Sequence, residues 1–182
     1  MSKRENRVKI KELTKIALCV AILCISSYLV IPVPFTPIVI SLHTIMVNLI
    51  GLILTPRQSG LSILVYLLMG LIGLPVFSLG ASGPGKLFGP TGGFYFGFLF
   101  SAITISLLKG KKNNFKSYSL VTVGIGLPIQ HICAVLMMCL HNGFQIQAAV
   151  LMVSLPFIIG DIIKCIMASV IGASLNKVLC RE

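Results

Sequence analysis

The chain has 182 residues, 56% of them hydrophobic and 10% charged, with fifteen Lys and Arg against four Asp and Glu. Soluble domains carry about 25% charged residues, so the composition excludes a soluble globular domain and points to a bilayer. At about 20 apolar residues per spanning helix, the chain has room for roughly five to seven spans and for no extramembrane domain beside them.

The formal net charge of +11 is not a nucleic-acid footprint, because the cations flank apolar runs instead of forming a basic–aromatic surface. Lys3, Arg4, Arg7, Lys9, Lys11 and Lys15 precede the first run, while Lys109, Lys111, Lys112 and Lys116 sit between two later ones. Cations in such places orient spans and hold anionic lipid headgroups.

In chain order, the first predicted span covers residues 13–31 and ends at Pro32 and Pro34. It is too long for a signal peptide and lacks a cleavage site, so it reads as a retained helix. Its Ala17 and Ala21 are spaced for close approach of another helix. The second span, residues 38–54, is closed by Thr55-Pro56-Arg57, and the third, residues 59–74, by Pro75; both are short. A Gly/Pro-rich stretch, residues 80–93, follows and carries one cation, Lys86. Its glycines allow close approach to a ligand and positive φ, while Pro84 and Pro90 stiffen it, so it reads as a gate over an outward-facing site. Its G-P-G-K-L-F run lacks the spacing of a phosphate loop. The fourth span covers residues 92–108, the fifth 119–140, and the sixth 148–178 with a tilt or kink at Pro156.

Placing the N-terminus inside puts thirteen Lys and Arg on the cytoplasmic side and only Lys86 outside, with Lys164 left within a span. The expectation is an all-α integral membrane protein: one domain, residues 1–182, six transmembrane helices, both termini cytoplasmic, and the Gly/Pro-rich loop external between helices 3 and 4. The six cysteines, Cys19, Cys24, Cys133, Cys139, Cys165 and Cys180, form neither C-x-x-C nor metal spacing and read as small apolar filler.

Little chemistry remains once these orienting cations are set aside. Asp161 is the single aspartate and lies in the sixth span, with Lys164 three residues on. That spacing puts both side chains on one helix face, where each charge alone would cost about 2.5–3.5 kcal/mol at mid-helix. Helix packing has no need of the pair, since buried ion pairs are poor stabilisers. The pair suits a ligand that offers a carboxylate and N–H groups: Lys164 neutralises the carboxylate or aligns with a carbonyl, and Asp161 accepts from the N–H donors. A proton relay is the competing use; it wants a second carboxylate or a histidine in line, and His131 is the one candidate within a span. Intramembrane hydrolases offer H-E-x-x-H, a Ser–His pair or paired aspartates, and the chain has no such arrangement, so it reads as no enzyme.

Three blocks carry a family resemblance: residues 31–77, a proline-rich turn followed by two spans; LFGPTGGFYFGF, residues 87–98; and PFIIGDIIKCIMA, residues 156–168. Through them the chain resembles BioY, the biotin-specific S component of the energy-coupling factor vitamin transporters. The resemblance implies a bacterial plasma-membrane protein that binds biotin in an occluded outward-facing site and works with a transmembrane coupling subunit and two ATPases. The alternative is a self-sufficient oligomeric carrier. It also implies binding roles for Asp161 and Lys164, a lid over residues 80–93, and contact of Ala17 and Ala21 with the coupling subunit. With Lys86, Thr91, Gly92, Gly93 and Tyr95 of the loop and its signature block, Asp161 and Lys164 make up the candidate substrate site. No metal or cofactor is implied, and ATP is left to the partners. The chain departs from the family at His43, where a glutamine is usual, at Phe94 in place of the common tyrosine, and at Ile159 in place of a frequent proline.

Overall fold

The computed structural model describes residues 3–32, 39–110 and 113–179. Residues 33–38 of the proline-rich turn, Lys111, Lys112, Cys180 and Arg181 lie outside them. Among the described residues the elements are α1 (Lys3–Ser26), β1 (Val30–Pro32), β2 (Val39–Ser41), α2 (His43–Ile53), α3 (Pro56–Leu71), α4 (Pro84–Leu87), α5 (Gly92–Leu108), α6 (Phe115–Val121), α7 (Leu127–Asn142), α8 (Ile146–Val153) and α9 (Ile158–Leu179).

Several boundaries differ from the apolar runs. The first helix stops at Ser26, because Val30–Pro32 pairs antiparallel with Val39–Ser41 in a short ribbon; among the described residues these are the only two strands, and the other elements are helical. The ribbon takes up the start of the second run, so α2 has eleven residues and rises roughly 16 Å, about half a bilayer core. Thr55 precedes α3, its N–H donating to Gln58 Oε1 at 3.3 Å, with Pro56 as the first helical residue. α6 and α7 run on through a π-turn at Thr122–Gly126 to make one rod, Phe115–Asn142. The sixth run is not one bent helix but two, broken at residues 154–157 around Pro156. Two helices, Phe115–Asn142 and Ile158–Val178, are long and apolar enough to cross a membrane, and His43–Ile53 and Gly92–Leu108 are shorter apolar helices.

The outside of the fold is as apolar as its inside. Leu18, Ile25, Leu68, Ile72, Phe100, Leu107, Leu120, Leu136, Leu140 and Ile163 are all exposed, far more apolar surface than a monomer in water tolerates. The core lies around α5, which packs on α7, α3 and α2, while α2 also packs on α9.

The tightest of these contacts rests on glycine. A Cβ at Gly93 would collide with the Cys133 carbonyl, and one at Gly97 would come within 2.8 Å of Gln130 Cα. Gly93 and Gly97 are one helical turn apart, so the backbones of α5 and α7 touch along a small-residue seam. Gln130 Nε2 then donates to Ser101 Oγ at 3.0 Å across the same interface.

The far end of α2 is buried, and its last carbonyls need donors that water cannot supply. Lys109 Nζ reaches the Leu52 and Leu54 carbonyls at 2.8 and 2.7 Å, Ser106 Oγ donates to Leu54 at 2.6 Å, and Asn176 Nδ2 donates to Leu52 at 3.0 Å. Lys109 therefore does more than orient a span: it caps α2.

Gly97→Ala should force α5 and α7 apart and destabilise the fold by about 1–3 kcal/mol, the usual cost of overpacking. Thermal unfolding in detergent should show a lower midpoint for Gly97→Ala, while Gly124→Ala, where the added carbon meets nothing within 4 Å, keeps the seam intact.

Candidate functional site

Breaking the sixth run at Pro156 places Asp161 in the first turn of α9, where the helix N-terminus favours negative charge. Lys164, one turn on, points its Nζ at Asp161 Oδ1 at 2.8 Å. The other carboxylate oxygen is also taken: His131 Nε2, from α7, lies 3.3 Å from Asp161 Oδ2. The Asp161 and Lys164 side chains keep only 10% and 12% of their surface, so this is a buried three-membered cluster. The ring of His131 stands edge-on to Phe94 at 5.9 Å, and its Nδ1 is buried with no partner among the described residues. Phe94, beside Gly93 of the α5–α7 seam, is the α5 residue on which this ring rests.

Asp161 and Lys164 form one wall of a cavity that, counted as space open to the centre of a water molecule, measures about 70 Å³, several times what one water needs. Phe94, Phe98 and Phe157 provide apolar faces; Ser41, Thr44, Ser78 and Thr91 provide hydroxyls; Leu79, Tyr95 and Lys86 complete the lining. Aromatic rings make a tight floor. Phe77 and Tyr95 lie 4.5 Å apart, Tyr66 meets Phe77 edge-on at 5.7 Å, and His43 stacks on Phe98 at 5.8 Å.

The Gly/Pro-rich connection is fastened over this floor. Phe77 is fully buried, and a Cβ at Gly70 would collide with its ring. Tyr28 Oη donates to the Pro75 carbonyl at 2.6 Å, the Leu79 N–H donates to Ser27, and the Gly83 N–H donates to Gly70. Leu79 sits at φ 64°, the only non-glycine positive φ among the described residues, and it lines the cavity. Such a conformation persists where its surroundings over-determine it, typically at ligand sites. Lys86 rides on α4, half-buried, and burial pushes its ammonium below the usual lysine value.

Of the residues singled out in the sequence, Asp161, Lys164, Lys86, Thr91 and Tyr95 therefore meet at one cavity. Gly92 and Gly93 are absent from its lining; a Cβ at Gly92 would strike the Leu87 carbonyl, so both glycines serve close backbone contact. Ala17 and Ala21 lie elsewhere, exposed on α1 to one side of its buried Ile16, Val20 and Leu23. Sequence reading missed Ser41, Thr44, Ser78, Leu79, Phe94, Phe98 and Phe157 as lining residues. Helical spacing carried part of that signal, since Phe157 is four residues before Asp161, and Phe94 and Phe98 are four apart. His131, the histidine a relay would need, is the second partner of Asp161. Among the described residues no group of three His, Cys, Asp or Glu could hold a metal ion.

Comparison with known proteins follows the same line. The BioY family model matches residues 1–181. The biotin transporter BioY2 of Lactococcus lactis is 35% identical over 176 residues, covering 96% of this chain and 94% of that protein. The biotin transporter BioY of Thermotoga maritima is 32% identical over 168 residues, covering 92% and 96%. The crystal structure of the S-component for biotin from an ECF-type ABC transporter superposes with a TM-score of 0.87 at 28% identity, covering 97% of this chain and 95% of that one.

The buried lysine offers a direct check on the site. Titrating isotopically methylated lysines by NMR, with Lys86→Arg to assign the signal, should place Lys86 below the usual value of about 10.4. A bound carboxylate should raise it again, so anion binding should weaken as pH climbs from the lowered free value toward the higher bound one.

Proposed function

The chain belongs to the BioY family, and on that premise we propose that it is the membrane subunit that captures biotin for uptake by an energy-coupling factor transporter. The observation that carries the proposal is the Asp161–Lys164 pair on the wall of a cavity otherwise lined mainly by aromatic rings and hydroxyls. Biotin offers matching chemistry: a ureido group with two N–H donors and a carbonyl, an apolar fused ring and chain, and a terminal carboxylate. Each oxygen of Asp161 accepts one bond from His131 or Lys164 and keeps a second lone pair for a ligand N–H. Phe94, Phe98 and Phe157 take the apolar body. Lys86 on the overlying loop supplies a cation for the carboxylate, whose charge would otherwise lose its water unpaired. Lys164 pairs with Asp161 and adds positive potential to the same wall.

In the proposed topology six spans cross a bacterial plasma membrane with both termini inside. They are α1, α2 with its ribbon, α3, α5, the α6–α7 rod and α9, and α8 leads into the last. The distribution of Lys and Arg supports that orientation and puts the fastened Gly/Pro-rich loop, residues 80–93, outside as the lid. The exposed small-residue face of α1 at Ala17 and Ala21 is the docking surface for a transmembrane coupling subunit. ATP hydrolysis belongs to two ATPase partners, since this chain lacks a phosphate loop.

Purified protein in detergent should bind biotin in equilibrium dialysis without nucleotide. Asp161→Asn and Lys164→Ala should each weaken binding about tenfold or more, as loss of a charged hydrogen-bond partner does, while Lys177→Ala leaves it unchanged. Retention of full affinity by the Asp161/Lys164 double variant would end the proposal. Ala17→Trp should spare binding yet block copurification with a coupling subunit. Uptake by cells carrying this chain without any ATPase partner would favour a self-sufficient carrier instead.

A further inference from the structure

His43 opens α2 fully buried, and both of its ring nitrogens have partners. Nε2 lies 2.9 Å from Tyr66 Oη, and Nδ1 lies 3.2 Å from Ser41 Oγ. The direction of these bonds is fixed from the far end. Tyr66 Oη donates its one proton to the Val76 carbonyl at 3.0 Å, and a carbonyl only accepts. Tyr66 must then accept from His43, so Nε2 carries the ring proton. A neutral imidazole has one N–H, which leaves Nδ1 as a lone pair into which Ser41 Oγ donates. A serine hydroxyl also has one proton. With that proton committed to His43, Ser41 Oγ has only acceptor capacity left to offer.

Ser41 is part of the cavity lining, as is Asp161. Asp161 too is an acceptor, so two side chains from different elements present lone pairs to the same space. A free serine rotor would donate or accept as its neighbour required; this one cannot donate inward without breaking the chain to Val76. We infer that His43 is a positioning residue that locks the Ser41 hydroxyl as an acceptor for a ligand N–H, one of the two ureido N–H groups if the cavity takes biotin as proposed above. A site with a fixed acceptor discriminates against analogues that lack the donor, because its buried lone pair is then left unpaired.

Two readouts keep this inference distinct from the reading on which it rests. In the ligand-free protein, nitrogen-15 labelling of histidine, with His43→Gln to assign the ring, should show a protonated Nε2 and a bare Nδ1. The opposite tautomer overturns the inference whatever the cavity binds. In dialysis, Ser41→Ala should weaken biotin binding roughly five- to tenfold, and His43→Phe about as much. His43→Gln should stay within about twofold, since an amide supplies both the N–H for Tyr66 and the acceptor for Ser41. Because the two residues act as one unit, the Ser41→Ala/His43→Phe double variant should be no weaker than the weaker single one.

Wild-type affinity in Ser41→Ala, losses that multiply in the double variant, or a glutamine variant as weak as the phenylalanine one would each overturn the inference. Failure of the wild-type chain to bind biotin at all would overturn the reading of the ligand, and with it the ureido group as the donor received.

Discussion

A carboxylate in an apolar interior is tolerated only when opposite charge and hydrogen bonds surround it, and the architecture around Asp161 follows from that constraint. Lys164 reaches it from one helical turn away, and His131 reaches it from a different helix. His131 comes from α7, whose backbone packs on α5 at Gly93 and Gly97, and its ring rests on Phe94 of α5. For Asp161 to sit in the first turn of a helix, the chain must break before it, which happens around Pro156. Loss of Lys164 or His131 would leave the carboxylate with less than it needs.

A second polar system lies across the cavity and is built on different terms. Around His43 there is no ion pair; a chain of neutral hydrogen bonds runs from Ser41 through His43 and Tyr66 to the Val76 carbonyl. Aromatic rings enclose it and also grip Phe77, the residue that fastens the Gly/Pro-rich connection. The cavity thus has a charged wall on α9, a neutral acceptor on the ribbon, and a half-buried lysine on α4 between them and the outside of the fold. One physical theme joins the three: each polar group has its partner or its burial arranged before a ligand arrives, which lowers the cost of ordering on binding.

Much of this was legible in the sequence because bilayer chemistry leaves few choices. An aspartate and a lysine three apart within an apolar run have one reasonable geometry, and the structure puts their charged atoms 2.8 Å apart. Helix α5 occupies residues 92–108, the limits read for the fourth apolar run, with a glycine pair at its start and Lys109 just after it. Less legible were elements decided by tertiary contacts. Little local marks Val30–Pro32 and Val39–Ser41 as a hairpin, since both lie at the ends of apolar runs that read equally well as helix. The partnership of His131 with Asp161 spans thirty residues and depends on helix packing that hydropathy does not encode. Gly92 and Gly93 looked like ligand-facing glycines and turned out to face backbone, because a missing side chain signals close approach without naming what approaches.

The most direct test of the central claim is an experimental structure of the chain with biotin bound. The account predicts the ureido group within hydrogen-bonding distance of Asp161, with Lys164 still on the carboxylate and the aromatic faces of Phe94, Phe98 and Phe157 around the ring. Biotin held elsewhere, with the Asp161 cluster closed and untouched, would contradict it.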